Sequence, residues 1–162
     1  LLGDRSWVER LAGDHAAAEA AALACLELDP DTKVRSFMQC RLAEIHLDVG
    51  RLADAAVAVE LAEEEPIPVL SARIAGVRAA LRAAHGDPSA RAEMELVLGR
   101  VRGTPYVNQL ATLLVEAALA MSWFGDPEAA LGYAQEAVEV AEAKENRALA
   151  MRIRRLLAEL GP

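Results

Sequence analysis

Gly13, Gly50, Gly86, Gly125 and Gly161 divide the 162-residue chain at intervals of 37, 36, 39 and 36 residues. Spacing this regular constrains the fold more than any other feature, because self-similarity at a fixed period marks units that stack on their neighbours. Three of the glycines introduce related segments: GDHAAAEAAALACLELDP at 13–30, GRLADAAVAVELAEEEP at 50–66 and GDPEAALGYAQEAVEVAE at 125–142. Each opens on turn or cap residues and continues as an alanine-rich helix that becomes acidic toward its end.

Two helical patterns fill each period. One runs up to the glycine, over about 33–49, 69–85, 105–124 and 146–160, and the other follows it, over about 15–28, 52–64, 88–101 and 127–143. A short extra turn is expected at 4–11. Asp14, Asp87 and Asp126 stand where a side-chain oxygen can accept from the first-turn amides of a helix. Pro88 and Pro127 follow at the first helical position, where a missing N–H costs nothing. Thr104 in GTP at 103–105 repeats this logic, and Pro30 and Pro66 close their helices. Period-2 alternation is not sustained anywhere, so no strands are expected. The spacing predicts an all-α domain over 1–162, made of helix hairpins at roughly 1–31, 32–67, 68–103 and 104–144 and a terminal helix at 145–160.

This pattern resembles the tetratricopeptide repeat family. Ala43 and Ala118 match its small positions in first helices, and Ala18, Ala55 and Ala130 match those in second helices. Cys25, Ala62 and Ala137 come seven residues further on. Leu42 matches the large apolar position and Pro30 the terminal proline. The third repeat departs, with Arg91 where alanine belongs, so Ala90 or Ala92 takes the role in a shifted register. The period exceeds the family's usual length of about 34 residues and is similar to the longer repeats in sensor arms of large bacterial signal-transduction regulators. The resemblance implies a right-handed superhelical stack of antiparallel hairpins, an α-solenoid. The chain begins LLGDRSW without Met and is expected to be a piece of something longer. Its last helix would then leave Leu149, Ile153, Leu156 and Leu160 uncovered, which predicts weak end-to-end association of copies.

Composition narrows the partners. Aromatics make up only 4% of the chain against 54% hydrophobic residues, so the core must form by close approach of small aliphatic side chains. A net charge of −8 argues against nucleic acid and against an anionic membrane surface. Two cysteines do not make a disulfide scaffold, and nothing at the N-terminus resembles a signal peptide, so a cytoplasmic location is expected. Residues 103–125 are apolar but carry Thr104, Asn108, Gln109, Thr112 and Glu116. They read as a buried helix rather than a bilayer span, which needs ~20 predominantly apolar residues.

No catalytic constellation emerges. His15, His46 and His85 lack metal-ligand partners at helical spacing. His46 reads as a half-buried packing residue and His85 as solvated. The EEEP run at 63–66 reads as a solvated helix end, and RALAMRIRR at 147–155 as a solvated basic face. Cys25 fills a small-residue slot, and Cys40 is expected to be the more exposed. Gly76, Gly99 and Gly132 lie inside helices, where close backbone approach would offset their cost. Neither a phosphate-cradling loop nor a dinucleotide fingerprint is present. No enzyme activity, metal or cofactor is expected.

The resemblance implies a concave groove lined by first helices, which places Phe37, Glu44 and Leu47 from the second repeat there, with Arg73 from the third. Leu119 and Trp123 follow from the fourth, and Arg155 from the last helix. Apolar walls at Phe37, Leu47, Leu119 and Trp123 would flank small residues at Gly76, Ala80 and Ala83, and Glu44, Arg73 and Arg155 would orient a ligand. The alternative is that the small residues simply close the space between helices. Trp123 separates the two, exposed in a trough or buried as core. The implied function is a non-catalytic module that binds a peptide or protein. The alternative is a ligand-sensing or oligomerisation arm of a bacterial transcriptional regulator.

Overall fold

The glycine repeat is a repeat of hydrogen bonds. Gly13 N–H donates to the Arg10 carbonyl and Asp14 N–H to the Glu9 carbonyl; Gly50 and Arg51 pair likewise with Leu47 and His46. The same two bonds recur at Gly86 and Asp87, to Ala83 and Arg82, and at Gly125 and Asp126, to Ser122 and Met121. Each glycine takes a positive φ between 72° and 86°, the left-handed cap that satisfies the last carbonyls of a helix and turns the chain back. Glu145 and Asn146 form the same pair of bonds, to Glu142 and Ala141, with φ 55° at Glu145 and no glycine.

The computed structural model describes residues 2–62 and 67–160, with the side chains of 159 and 160 left aside. Nine helices and no strands occur among the described residues: α1 Leu2–Ala12, α2 His15–Glu27, α3 Thr32–Asp48, α4 Leu52–Leu61, α5 Pro68–Ala84, α6 Ala90–Val101, α7 Val107–Phe124, α8 Pro127–Ala143 and α9 Arg147–Leu160. The EEEP run, with Pro66, and the expected last glycine, Gly161, lie outside the described residues. The chain is all-α, with a helical-repeat-like order. It divides into two compact units, Leu1–Val77 and Arg78–Pro162, the boundary falling inside α5. In unit 1, α2 packs on α1 and α3, and α3 on α4. In unit 2, α7 packs on α6 and α8, and α8 on α9.

Small residues do sit at the tight positions. Ala18, Ala43, Ala55, Ala118, Ala130 and Ala137 are fully buried. In the irregular third repeat Ala90 is buried while Arg91 and Ala92 are exposed, so the register shifts by one toward the N-terminus. Arg91 reaches Asp126 instead, at 2.9 Å. Asp14, Asp31 and Asp126 cap α2, α3 and α8 by accepting from Ala17, Val34 and Ala129 amides.

Several expectations need correction. The 4–11 turn is a full helix, α1. Helix α6 starts at Ala90 rather than Pro88, because Asp87 accepts from the Ser89 amide two residues on and holds a turn there. Helix α7 starts at Val107, since Thr104 Oγ1 donates back to the Val101 carbonyl and accepts from Tyr106 N–H in a turn of its own. Cys40 is fully buried and Cys25 only half-buried, the reverse of expectation. Leu149 and Ile153, expected to be uncovered, have no exposed surface. They lie on α9, which packs on α8.

Gly99 and Gly132 do not mark close approach either: both are exposed, and a Cβ at either would meet nothing within 4 Å. This sets up a paired test on α8. Gly132→Ala removes a flexible residue from a helix interior and is expected to stabilise by about 0.5–1 kcal/mol. Ala130→Leu, two residues away and fully buried, is expected to overpack and cost ~1–3 kcal/mol. Urea denaturation of the two variants should move in opposite directions.

Candidate functional site

Two of the candidate groove residues of unit 1, Phe37 and Glu44, fall on one face of α3. Phe37, Arg41, Glu44 and Asp48 are spaced by four, three and four residues, which stacks them along a single stripe. Glu44 is fully buried at the centre of that stripe. Arg10 from α1 donates through Nη1 to Glu44 Oε2 at 2.6 Å, and through Nε and Nη2 to the two Asp48 oxygens at 2.6 and 3.1 Å. Arg73 from α5 donates through Nε to Glu44 Oε1 at 2.6 Å. Burial works against the Glu44 charge, but the guanidiniums of Arg73, Arg10 and Arg41 outweigh it and hold the carboxyl far below the usual range.

Two aromatic rings flank this cluster. Trp7 of α1 stacks on the Arg41 guanidinium, 4.3 Å from ring centroid to Cζ, and the Phe37 ring lies 5.8 Å from Arg73 Cζ. Both rings are half-buried. Arg41 differs from the other two arginines. Its closest approach to a carboxylate in the cluster is Nη1 to Glu44 Oε2 at 3.4 Å, and its buried Nε and Nη1 have no hydrogen-bond acceptor. Burial first, then the charges of Arg73 and Arg10, push its basicity down.

The structure thus brings Glu44 and Arg73 together as an internal ion pair. Both are buried, so neither carries a free charge at a groove surface as expected. Leu47 is likewise core, at 1% exposure, and forms no groove wall. Arg10, Arg41 and Trp7 belong to the cluster and were missed. The sequence offers one signal for them, the spacing of Trp7 and Arg10 on a single face of α1.

In unit 2, Leu119 and Trp123 lie one turn apart on α7, both half-buried, and the neighbouring Phe124 is 39% exposed. Arg155 is exposed on α9. An open cleft of about 530 Å3 between the end of α8 and the start of α9 is lined by Glu142, Glu145, Arg147, Ala150, Met151 and Arg154. Arg154 donates to Glu142 across it, so the basic stretch of α9 is partly neutralised by its neighbour.

His46 is buried and its Nε2 lies 3.0 Å from Glu19 Oε1, where Arg51 also binds. It joins α3 to α2 rather than filling space as a packing ring alone. His85 is exposed. Among the described residues no group of three or more His, Cys, Asp and Glu side chains could hold a metal ion. Helix α7 is long and apolar enough to cross a membrane, but its run Ala111–Ala118 is buried within the fold. No protein-family model, curated protein or solved structure matches the chain.

Proposed function

We propose that the chain is a non-catalytic binding module of the tetratricopeptide type, a right-handed stack of helix hairpins that holds a peptide or protein partner. The regular hairpin order, the shared left-handed caps and the buried alanine pairs support this reading. The observation that carries it is the end of α7. There Trp123 and Phe124 keep apolar surface in solvent, although the same helix buries every residue from Ala111 to Ala118. A large aromatic held at the rim of a rigid helix presents contact area at low entropic cost, and such residues dominate binding energies. Leu119, one turn earlier, extends the surface.

The module would act in the cytoplasm. Copies would associate end to end through surface that α9 leaves in solvent, with half-buried Leu156 and Leu157 and exposed Met151 among the described side chains.

A peptide library selected on the immobilised chain tests the reading. Selected peptides are expected to lose tenfold or more in affinity for Trp123→Ala, the usual scale for a binding hot spot of about 2 kcal/mol. The helical circular dichroism should be unchanged. Full retention of affinity, or loss of the fold, defeats the proposal.

A further inference from the structure

Two of the three arginines around Glu44 donate to carboxylates, and Arg41 does not. Its Nε and Nη1 are buried without an acceptor, a state that costs a charged donor far more than a neutral one. Trp7 covers one flat face of the guanidinium. A ring satisfies only the face; the N–H bonds point outward in the plane, and a planar oxyanion is their natural complement. The rest of the Arg41 side chain keeps 11% of its surface in solvent, although Nε and Nη1 themselves lie beneath it, and the Glu44 side chain beside it is fully enclosed. The half-buried rings of Trp7 and Phe37 border this stretch of α3 and offer apolar surface to the remainder of a ligand.

We propose that Arg41 anchors a carboxylate-binding site on unit 1, and that it receives an acidic side chain of a peptide partner. The choice of a peptide as the source rests on the reading of the chain as a binding module. A singly charged carboxylate fits better than a phosphate dianion, because Glu44 Oε2 lies only 3.4 Å from Arg41 Nη1 and repels a second negative charge. A bound carboxylate relieves what burial and the neighbouring Arg73 and Arg10 impose on the Arg41 charge.

Arginine Nε–H resonances of the full chain, followed as acetate replaces chloride at constant ionic strength, give the first test. The Arg41 resonance is expected to shift and saturate, and the same titration on Arg41→Gln should show no saturable site. Non-saturating behaviour of Arg41, matching that of exposed Arg147, overturns the site. Should Arg41→Gln fail to fold, the wild-type resonance alone still decides. Inorganic phosphate binding more tightly than acetate at pH 7 overturns the carboxylate assignment.

The second arm compares a glutamate-containing dodecapeptide with its glutamine counterpart. The former is expected to bind roughly tenfold tighter, the scale of one charge-assisted hydrogen-bond pair, with the preference lost in Arg41→Gln. Equal binding of the two peptides overturns the peptide source. The Trp123 experiment does not involve acetate, so the two readings fail separately.

Discussion

Glu44→Gln is expected to destabilise unit 1 by about 3–5 kcal/mol, the usual cost of removing one partner from a buried ion pair. The substitution keeps the shape of the side chain and deletes only its charge, leaving Arg10 and Arg73, each at 2.6 Å from a Glu44 oxygen, with a weak neutral acceptor. Since small folded domains have about 5–15 kcal/mol in total, this is a large fraction. Hydrogen exchange at the amides of α3, where residues 41–47 are all buried, localises the effect to unit 1. A loss below about 1 kcal/mol would mean that the guanidiniums find other acceptors. The pH dependence supplies an independent check. The folded-state pKa of Glu44 is depressed below its unfolded value of about 4.5. Its stabilising contribution is therefore complete above that value and disappears as pH falls toward the folded one. Wild-type stability should drop steeply below pH ~4.5, and Glu44→Gln should flatten that limb.

Leu114→Ala is expected to cost ~2–5 kcal/mol in unit 2, the range for deleting a fully buried leucine side chain. Leu113 and Leu114 both show no exposed surface although adjacent residues on a helix point about 100° apart. Helix α7 is therefore enclosed on more than one side, packed between α6 and α8. Neighbours held on several sides cannot all collapse into a cavity, which places the substitution toward the upper part of that range. Leu119→Ala, half-buried on the same helix, should cost clearly less. Equal losses at the two positions, read by urea denaturation with hydrogen exchange at 111–118, would contradict the enclosure of α7.

The helices were legible because their punctuation is chemical. Glycine at a left-handed cap and aspartate at an N-cap act over four or five residues, so α3, α5 and α8 fall within one residue of the spans expected for them. Where two such signals crowd together the reading slipped: Asp87 followed by Pro88, and Thr104 followed by Pro105, close small turns before α6 and α7 begin. The charged cluster was not legible for a different reason. Arg41 and Glu44 look like a solvent-facing side of α3, because a charge on a helix is normally left in water. They are buried only because Arg10 and Arg73 arrive from two other helices to meet Glu44, and because Trp7 covers Arg41. That meeting depends on tertiary packing, to which local propensity is blind.

Helix pairing within each unit runs mostly between neighbours along the chain, α1 with α2, α2 with α3, α3 with α4, and in unit 2 α6 with α7, α7 with α8, α8 with α9. Topologies built from such short-range encounters fold quickly, since little loop-closure entropy is spent before contacts form. The ion cluster obeys another clock. Arg10, Glu44 and Arg73 belong to the first, third and fifth helices, so their charges can leave water only after the intervening hairpins have closed. Hairpin closure in unit 1 then precedes dehydration of its ions. A chain paused between those steps would be helical, nearly compact, and still wet around Glu44.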